Sequence, residues 1–449
     1  MVGNYFRRWR AGLGVAGAFC LWPGLAFAEE VAPSDASTGI LVALAGVATA
    51  YLLSFLLLGW LTRQYGFVTG VQYVVLGMLV VPLTGWIPLE ALQTFEPIVG
   101  LATGAVGLTV GLRVSRRRLA ELTGTTVKLA MSVVSVTLGL VVLLPLLGLY
   151  HWGDPGTSDY WIPAILALGA MALVADWRQV AALANFFNVE ETTITKARNL
   201  AWLSTTAAVV CFGVLFSYFN PGPQWFGDFS NMGIWLAAHV VAGGVVGAIG
   251  GSLVQTRPDD DRILTILLGV VITASALAYV TTLSIVFVNF VAGIILINMS
   301  SESLRIRGML DSANAPLYIL LLFIVGTIWS AGTSATALII IGAYLALRLI
   351  GRIAGVAAYR PRLSGYRPEP GIHRVLWAPG ALTAAMIVDF SFGFSDLESM
   401  DTVISAFVLI LIAEEVVSFI LARGWMIDVS DADPSRRRSS PWGDWKGGN

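Results

Sequence analysis

Charge is what this sequence has least of. Asp, Glu, Lys and Arg make up only 12% of its 449 residues, against 56% hydrophobic residues and a mean hydropathy of +0.77. Soluble domains carry about a quarter charged residues, so this balance excludes a soluble fold. The formal net charge of -1 says nothing about nucleic acid, because the charges are segregated by loop and not pooled on one face, and no nucleic-acid partner is expected. Cysteine is nearly missing too. Cys20 and Cys211 both lie in apolar runs, which excludes a disulfide framework and a thiolate metal cluster. Three histidines lie far apart, and there is no HExxH, no phosphate-binding loop and no GxGxxG opening a helix. No cofactor is expected, and nothing supports an enzyme.

What fills the chain is hydrocarbon. About thirteen apolar segments are long enough to cross the roughly 30 Å core of a bilayer. They run over 39–61, 67–87, 95–112, 126–149, 161–187, 199–219, 231–254, 262–280, 282–298, 313–330, 334–354, 375–393 and 401–422. The stretch 262–298 is one nearly unbroken run, divided here at Thr281-Thr282. Ahead of these segments, Arg7, Arg8 and Arg10, an apolar core from Ala11 to Leu25, and Ala26-Phe27-Ala28 read as a signal peptide over 1–28. An uncleaved first helix is the alternative, and it gives the same orientation downstream.

Loop charges set that orientation. Basic residues occupy alternate loops at Arg63, Arg113 to Arg118, Lys196 and Arg198, Arg257 and Arg262, Arg305 and Arg307, Arg360 to Arg374, and the tail from Arg423. The loops between them, such as His151 to Asp159, Asn220 to Asn231 and Gly393 to Asp401, hold no Lys or Arg. The positive-inside rule then places the mature N-terminus outside and the C-terminus in the cytoplasm. The expected protein is an all-α, multi-pass protein of the lipid bilayer, in a bacterial inner membrane and as a homodimer. A transmembrane domain over 39–422 precedes a disordered cytoplasmic tail, 423–449, whose Arg436 to Arg438 are either solvated or against anionic lipid heads.

Against this background the buried ionisable residues stand out. Asp176 and Arg178 lie in the middle of the run from Tyr160 to Phe187. A charge at mid-bilayer depth costs about 2.5–3.5 kcal/mol on insertion scales, so such residues mark ion or proton pathways by default. The alternative for this pair is a salt bridge that fixes two helices. Glu414 and Glu415 in the last segment and Asp389 in the twelfth are further candidate acids; as neighbours, the two glutamates cannot face one side of a helix. Asp389 either takes part or reaches the outer surface. Arg348 either points into the protein or snorkels to the cytoplasm. His239 reads as interfacial or packed. Glycines at 100, 104, 107 and 111, and at 243, 247 and 251, have the small-xxx-small spacing of packed membrane helices.

Several of these segments resemble the monovalent cation:proton antiporter superfamily of sodium/proton exchangers. Gly66 to Trp86 (GFVTGVQYVVLGMLVVPLTGW) resembles its second span, Phe95 to Leu119 the span that follows, and Phe290 to Asn298 (FVAGIILIN) its "aFxaGlll" segment. The resemblance implies two inverted six-helix repeats with crossed, discontinuous fifth and twelfth helices, broken near Asp176 and Pro379. Ala175-Asp176-Trp177 falls where the family carries Thr-Asp-Pro, Arg348 matches a basic residue of its eleventh span, and Trp377 to Ala381 resembles a "GlRGa" segment with Pro379 for the Arg. One departure is large. Ala201 to Phe212 overlays "sllNDavavvlf" without a gap and sets Ser204-Thr205 where the family has Asn-Asp.

The implied activity is exchange of a monovalent cation for protons. Such exchange needs an acid for which proton and cation compete, and a threonine hydroxyl cannot titrate. Asp176 is then the main acid, with a glutamate of the last span assisting. The alternative is a non-transporting pseudo-antiporter acting as a sensor, scaffold or subunit of a membrane complex. Either way Ser204 and Thr205 are expected beside Asp176, with Arg178 pairing Asp176 or reaching Glu414 or Glu415.

Overall fold

A computed structural model describes residues 70–79, 96–152, 158–176, 191–219, 231–255, 259–300, 303–329, 335–359, 371–394 and 400–431. All regular structure among them is helical. In chain order the α-helices are α1 (Val71–Met78), α2 (Glu96–Gly111), the short α3 (Arg116–Ala120), α4 (Gly124–Trp152), α5 (Ser158–Ala172), α6 (Glu191–Phe219) and α7 (Met232–Gln255). They continue with α8 (Asp260–Val280), α9 (Ile285–Met299), α10 (Ser303–Thr327), α11 (Ala335–Ala358), α12 (Gly380–Gly393) and α13 (Met400–Asp431), and a 3₁₀ helix over Ile372–Trp377 precedes α12. Among the described residues seven helical stretches are long and apolar enough to cross a membrane, the sixth of them made by the 3₁₀ helix and α12 together and the last by α13. The chain is a multi-pass membrane protein. Each expected segment from 67–87 onward overlaps a helix where it is described; 80–87, 177–187, 39–61 and the signal peptide over 1–28 lie outside the described residues.

The divided run at 262–298 shows how the chain turns inside an apolar stretch. After α8 the N–H of Thr282 bonds the Tyr279 carbonyl and that of Leu283 bonds the Ala278 carbonyl, a Schellman ending. Thr282 takes the left-handed conformation, φ 56°, that this ending requires and that glycine usually supplies.

α9 is buried on nearly all sides between two glycine-bearing helices. A side chain at Gly107 or Gly111 of α2 would meet the α9 backbone at Val286 and Phe290, and one at Gly243 or Gly247 of α7 would meet it at Val288 and Ala292. The two small-residue stripes therefore clasp the same helix. Lipid tails offer no hydrophobic contrast, so this close approach supplies packing energy that larger residues would forfeit.

One boundary differs from the sequence reading. The tail was expected to be disordered from 423, yet α13 continues to Asp431. Ala422, Trp425 and Met426 are buried in one apolar cluster with Ile372, Val375 and Leu376 of the 3₁₀ helix, so the helix gains burial by running on.

Candidate ion-binding site

A helix end and a helix break lie at the same place. α5 ends at Ala172 and continues without regular structure to Asp176, while the 3₁₀ helix ends at Trp377 and α12 starts at Gly380. The Asp176 N–H donates to the Ala378 carbonyl at 2.7 Å, so the breaks touch directly. Pro379, with no N–H to give, and Gly380, at φ 63°, set the second break.

An open helix end in an apolar interior must find donors for its carbonyls. Here side chains from two other helices supply them. Ser204 of α6 donates to the Leu173 carbonyl at 2.6 Å, and Thr205 donates to the Ala175 carbonyl at 2.9 Å while accepting from the Ala175 N–H at 3.0 Å. Arg352 of α11 reaches the Ala172 carbonyl at 2.9 Å, the Val174 carbonyl at 3.3 Å and the Ser204 hydroxyl at 2.9 Å. Arg348, one turn earlier, reaches the Val174 carbonyl at 2.8 Å and the Trp377 carbonyl at 3.3 Å, so it touches both broken elements. Placing cations at the carbonyl end of α5 is also favourable for the helix dipole.

The glutamates divide between two tasks. Glu414 pairs with the Arg348 guanidinium and accepts from the Tyr344 hydroxyl at 2.7 Å. Glu415, on another side of α13, accepts from the N–H groups of Gly70, at the start of α1, and Gly380, at the start of α12. Both glutamates are buried, so neither faces a partner or the water boundary. Arg348 is wholly buried as well, which removes the snorkelling alternative.

Asp176 lines a cavity of about 50 Å³, enough for one or two waters, together with Thr205, Thr109, Trp202, Tyr318, Arg113 and apolar neighbours. A Cβ on Gly380 would overlap the Asp176 carboxylate. The carboxylate therefore rests against the first residue of α12. Arg178 lies outside the described residues.

Asp389 takes a different place, nine residues along α12 and so about 13 Å from Gly380 at 1.5 Å per residue. It is buried and accepts from the Ser284 hydroxyl at 2.6 Å and from the N–H groups of Ile285 and Val286 at 3.0 Å each. The Phe287 N–H goes to the Ser284 hydroxyl, and the Ser284 N–H to His239 Nε2 at 3.0 Å. His239 is thus packed, and because Nε2 accepts, its proton sits on Nδ1, directed at the Trp235 carbonyl 2.7 Å away. The N-terminus of α9 is capped completely by side chains.

The sequence reading missed Arg352. Its signal was present: Arg348 and Arg352 are four apart in an apolar segment and share a helix face.

No protein-family model matches the sequence, and no curated protein does. Solved structures do. The structure of the sodium proton antiporter MjNhaP1 from Methanocaldococcus jannaschii at pH 8 superposes with a TM-score of 0.64 over 87% of this chain and 98% of that one, at 15% identity. A three-dimensional EM map of the same antiporter gives 0.57, over 88% and 98%, also at 15% identity. This chain has the sodium/proton antiporter fold. At that identity the antiporter fold is what the comparison establishes, and the neighbours bearing it are a transporter and not an enzyme.

Proposed function

We propose that the protein exchanges a monovalent cation for protons, with Asp176 as the principal acid of the site. The observation that carries this reading is the position of Asp176: just past the end of α5, hydrogen-bonded to the break before α12 and lining a small cavity. Interrupted helices meeting inside a transporter are how ions are held near the midplane of a membrane, and a carboxylate there can hold either a proton or a cation. The likeness to an antiporter supports the same activity. Asp176, Thr205, Ser204, Arg348, Glu414 and Glu415 belong to or brace this site, and Arg178 and Asp389 remain further candidates. The protein works as a homodimer in the bacterial inner membrane, its mature N-terminus outside and its C-terminus cytoplasmic.

The test is proton flux in vesicles carrying the purified protein, with Na⁺, K⁺ and Li⁺ gradients imposed separately. At least one cation drives flux, and Asp176→Asn abolishes it. Flux that survives Asp176→Asn removes Asp176 from the site.

A second reading has its own observation. The Thr205 hydroxyl spends both its donor and an acceptor position on Ala175, so it braces the break and offers an ion little. On that reading the chain keeps the antiporter fold as a sensor, scaffold or subunit, and no cation drives flux in the same vesicles.

A further inference from the structure

The fold accounts for an acid at 176 and none at 205, which leaves a cation at the crossing with one carboxylate from the interrupted helices. Glu415 lies at the same point. Gly380 donates its N–H to the Glu415 carboxylate, and the space its own side chain would take is filled by the carboxylate of Asp176. Two acids from α13 and the end of α5 thus converge on one residue that has room for neither a side chain nor a different backbone conformation.

Arg348 is taken by Glu414, with Tyr344 beside it. Arg352 is bonded to carbonyls and to Ser204, and Arg113 lies across the cavity from α2. Among the described residues Glu415 has hydrogen-bond donors from two backbones and no ion-pair partner. Two carboxylates this near to each other either share a proton or hold a positive charge between them, and exchange of a proton for a cation uses both states. A cap on two N–H groups would be served equally by glutamine, which has the same acceptor oxygen and no charge to bury.

Resting on the exchange reading above, we propose that Glu415 is the second carboxylate of the cation site, reaching it from the last helix in place of an acid at position 205. The site then holds one dehydrated monovalent cation between Asp176 and Glu415, at the start of α12. Its donors come from the end of α5 and from α13, a different set of elements from the α5 and α6 pair that the sequence resemblance implies.

The experiment measures the thermal midpoint of the full-length protein in detergent as NaCl, KCl or LiCl replaces choline chloride at fixed ionic strength and pH. The unmodified protein is stabilised by at least one cation with a measurable half-saturating concentration. Glu415→Gln keeps the acceptor for Gly70 and Gly380, so it folds, and it raises that concentration by roughly tenfold or more. Glu415→Asp, which keeps the charge on a shorter arm, gives a smaller rise and serves where the Gln variant does not fold. A half-saturating concentration within about twofold of the unmodified value in Glu415→Gln, or in Glu415→Asp where the Gln variant does not fold, overturns the proposal and leaves Glu415 a cap. Asp176→Asn separates the two levels: if it too leaves the concentration unchanged, or if no cation stabilises the unmodified protein, the exchange site itself is lost and Glu415 falls with it.

Discussion

Arg352 donates to the Ser204 hydroxyl at 2.9 Å, and through the same guanidinium to the carbonyls of Ala172 and Val174. One side chain of α11 therefore holds the frayed end of α5 against α6. Replacing Arg352 with Met removes every one of these donors, and each buried acceptor left without a partner costs about 1–3 kcal/mol. Arg352→Met lowers the thermal midpoint in detergent markedly, whereas Arg352→Lys, with one point donor in place of a planar fork, lowers it less.

Thr205→Val tests the brace at Ala175. It is nearly isosteric but strands a buried N–H and a carbonyl, a loss of about 1–3 kcal/mol in unfolding measurements. Thr205→Asp restores the family's carboxylate, accepting from the Ala175 N–H while repelling its carbonyl. The expected result is lower stability than the parent, together with a gain or a changed pH profile of flux in vesicles.

Both of these residues bear on what could be read in advance. Asp176 was conspicuous as a charge in an apolar segment, and the break before α12 was legible because Pro379-Gly380 marked it. The division at Thr281-Thr282 followed from loop charges alone. What could not be read was who answers whom across the molecule. Nothing local to Asp389 says that it caps a helix more than a hundred residues earlier in the chain, and nothing local separates Glu414 from Glu415. Those assignments depend on which face of each helix meets which neighbour, and in a membrane the hydrophobic period that reveals faces in soluble helices is washed out, since lipid and core are equally apolar.

Asp389→Ala leaves the N–H groups of Ile285 and Val286 without acceptors inside the protein. A loss of about 2–6 kcal/mol follows from two such groups. Asp389→Asn retains one acceptor and loses less. Because Asp389 lies away from the crossing, the half-saturating cation concentration moves far less than it does in Asp176→Asn, as read by cation-dependent thermal shifts.

Gly380→Ala places a methyl group where the Asp176 carboxylate now rests, at a backbone angle that costs a side-chain-bearing residue about 1–2 kcal/mol. The variant is less stable, and flux falls with it because the acid is displaced.

Thr282→Gly points the other way. Threonine at φ 56° is strained, and glycine relieves it at some entropic cost, for a net gain of about 0.5–1 kcal/mol in unfolding experiments.

α12 has one end at the candidate ion site and the other tied to α9. Gly380 meets Asp176 and Glu415, and two turns and a half further on Asp389 holds the N-terminus of α9 by three hydrogen bonds. The helix is in effect a strut pinned at both ends, and α9 at its far end is gripped between α2 and α7. Any displacement of the crossing must either break the Asp389 cap, leaving bare N–H groups in an apolar interior, or draw the three clasped helices along as one piece. The cheaper course is the second, so a local event at the carboxylates is geared to the movement of a block four helices wide.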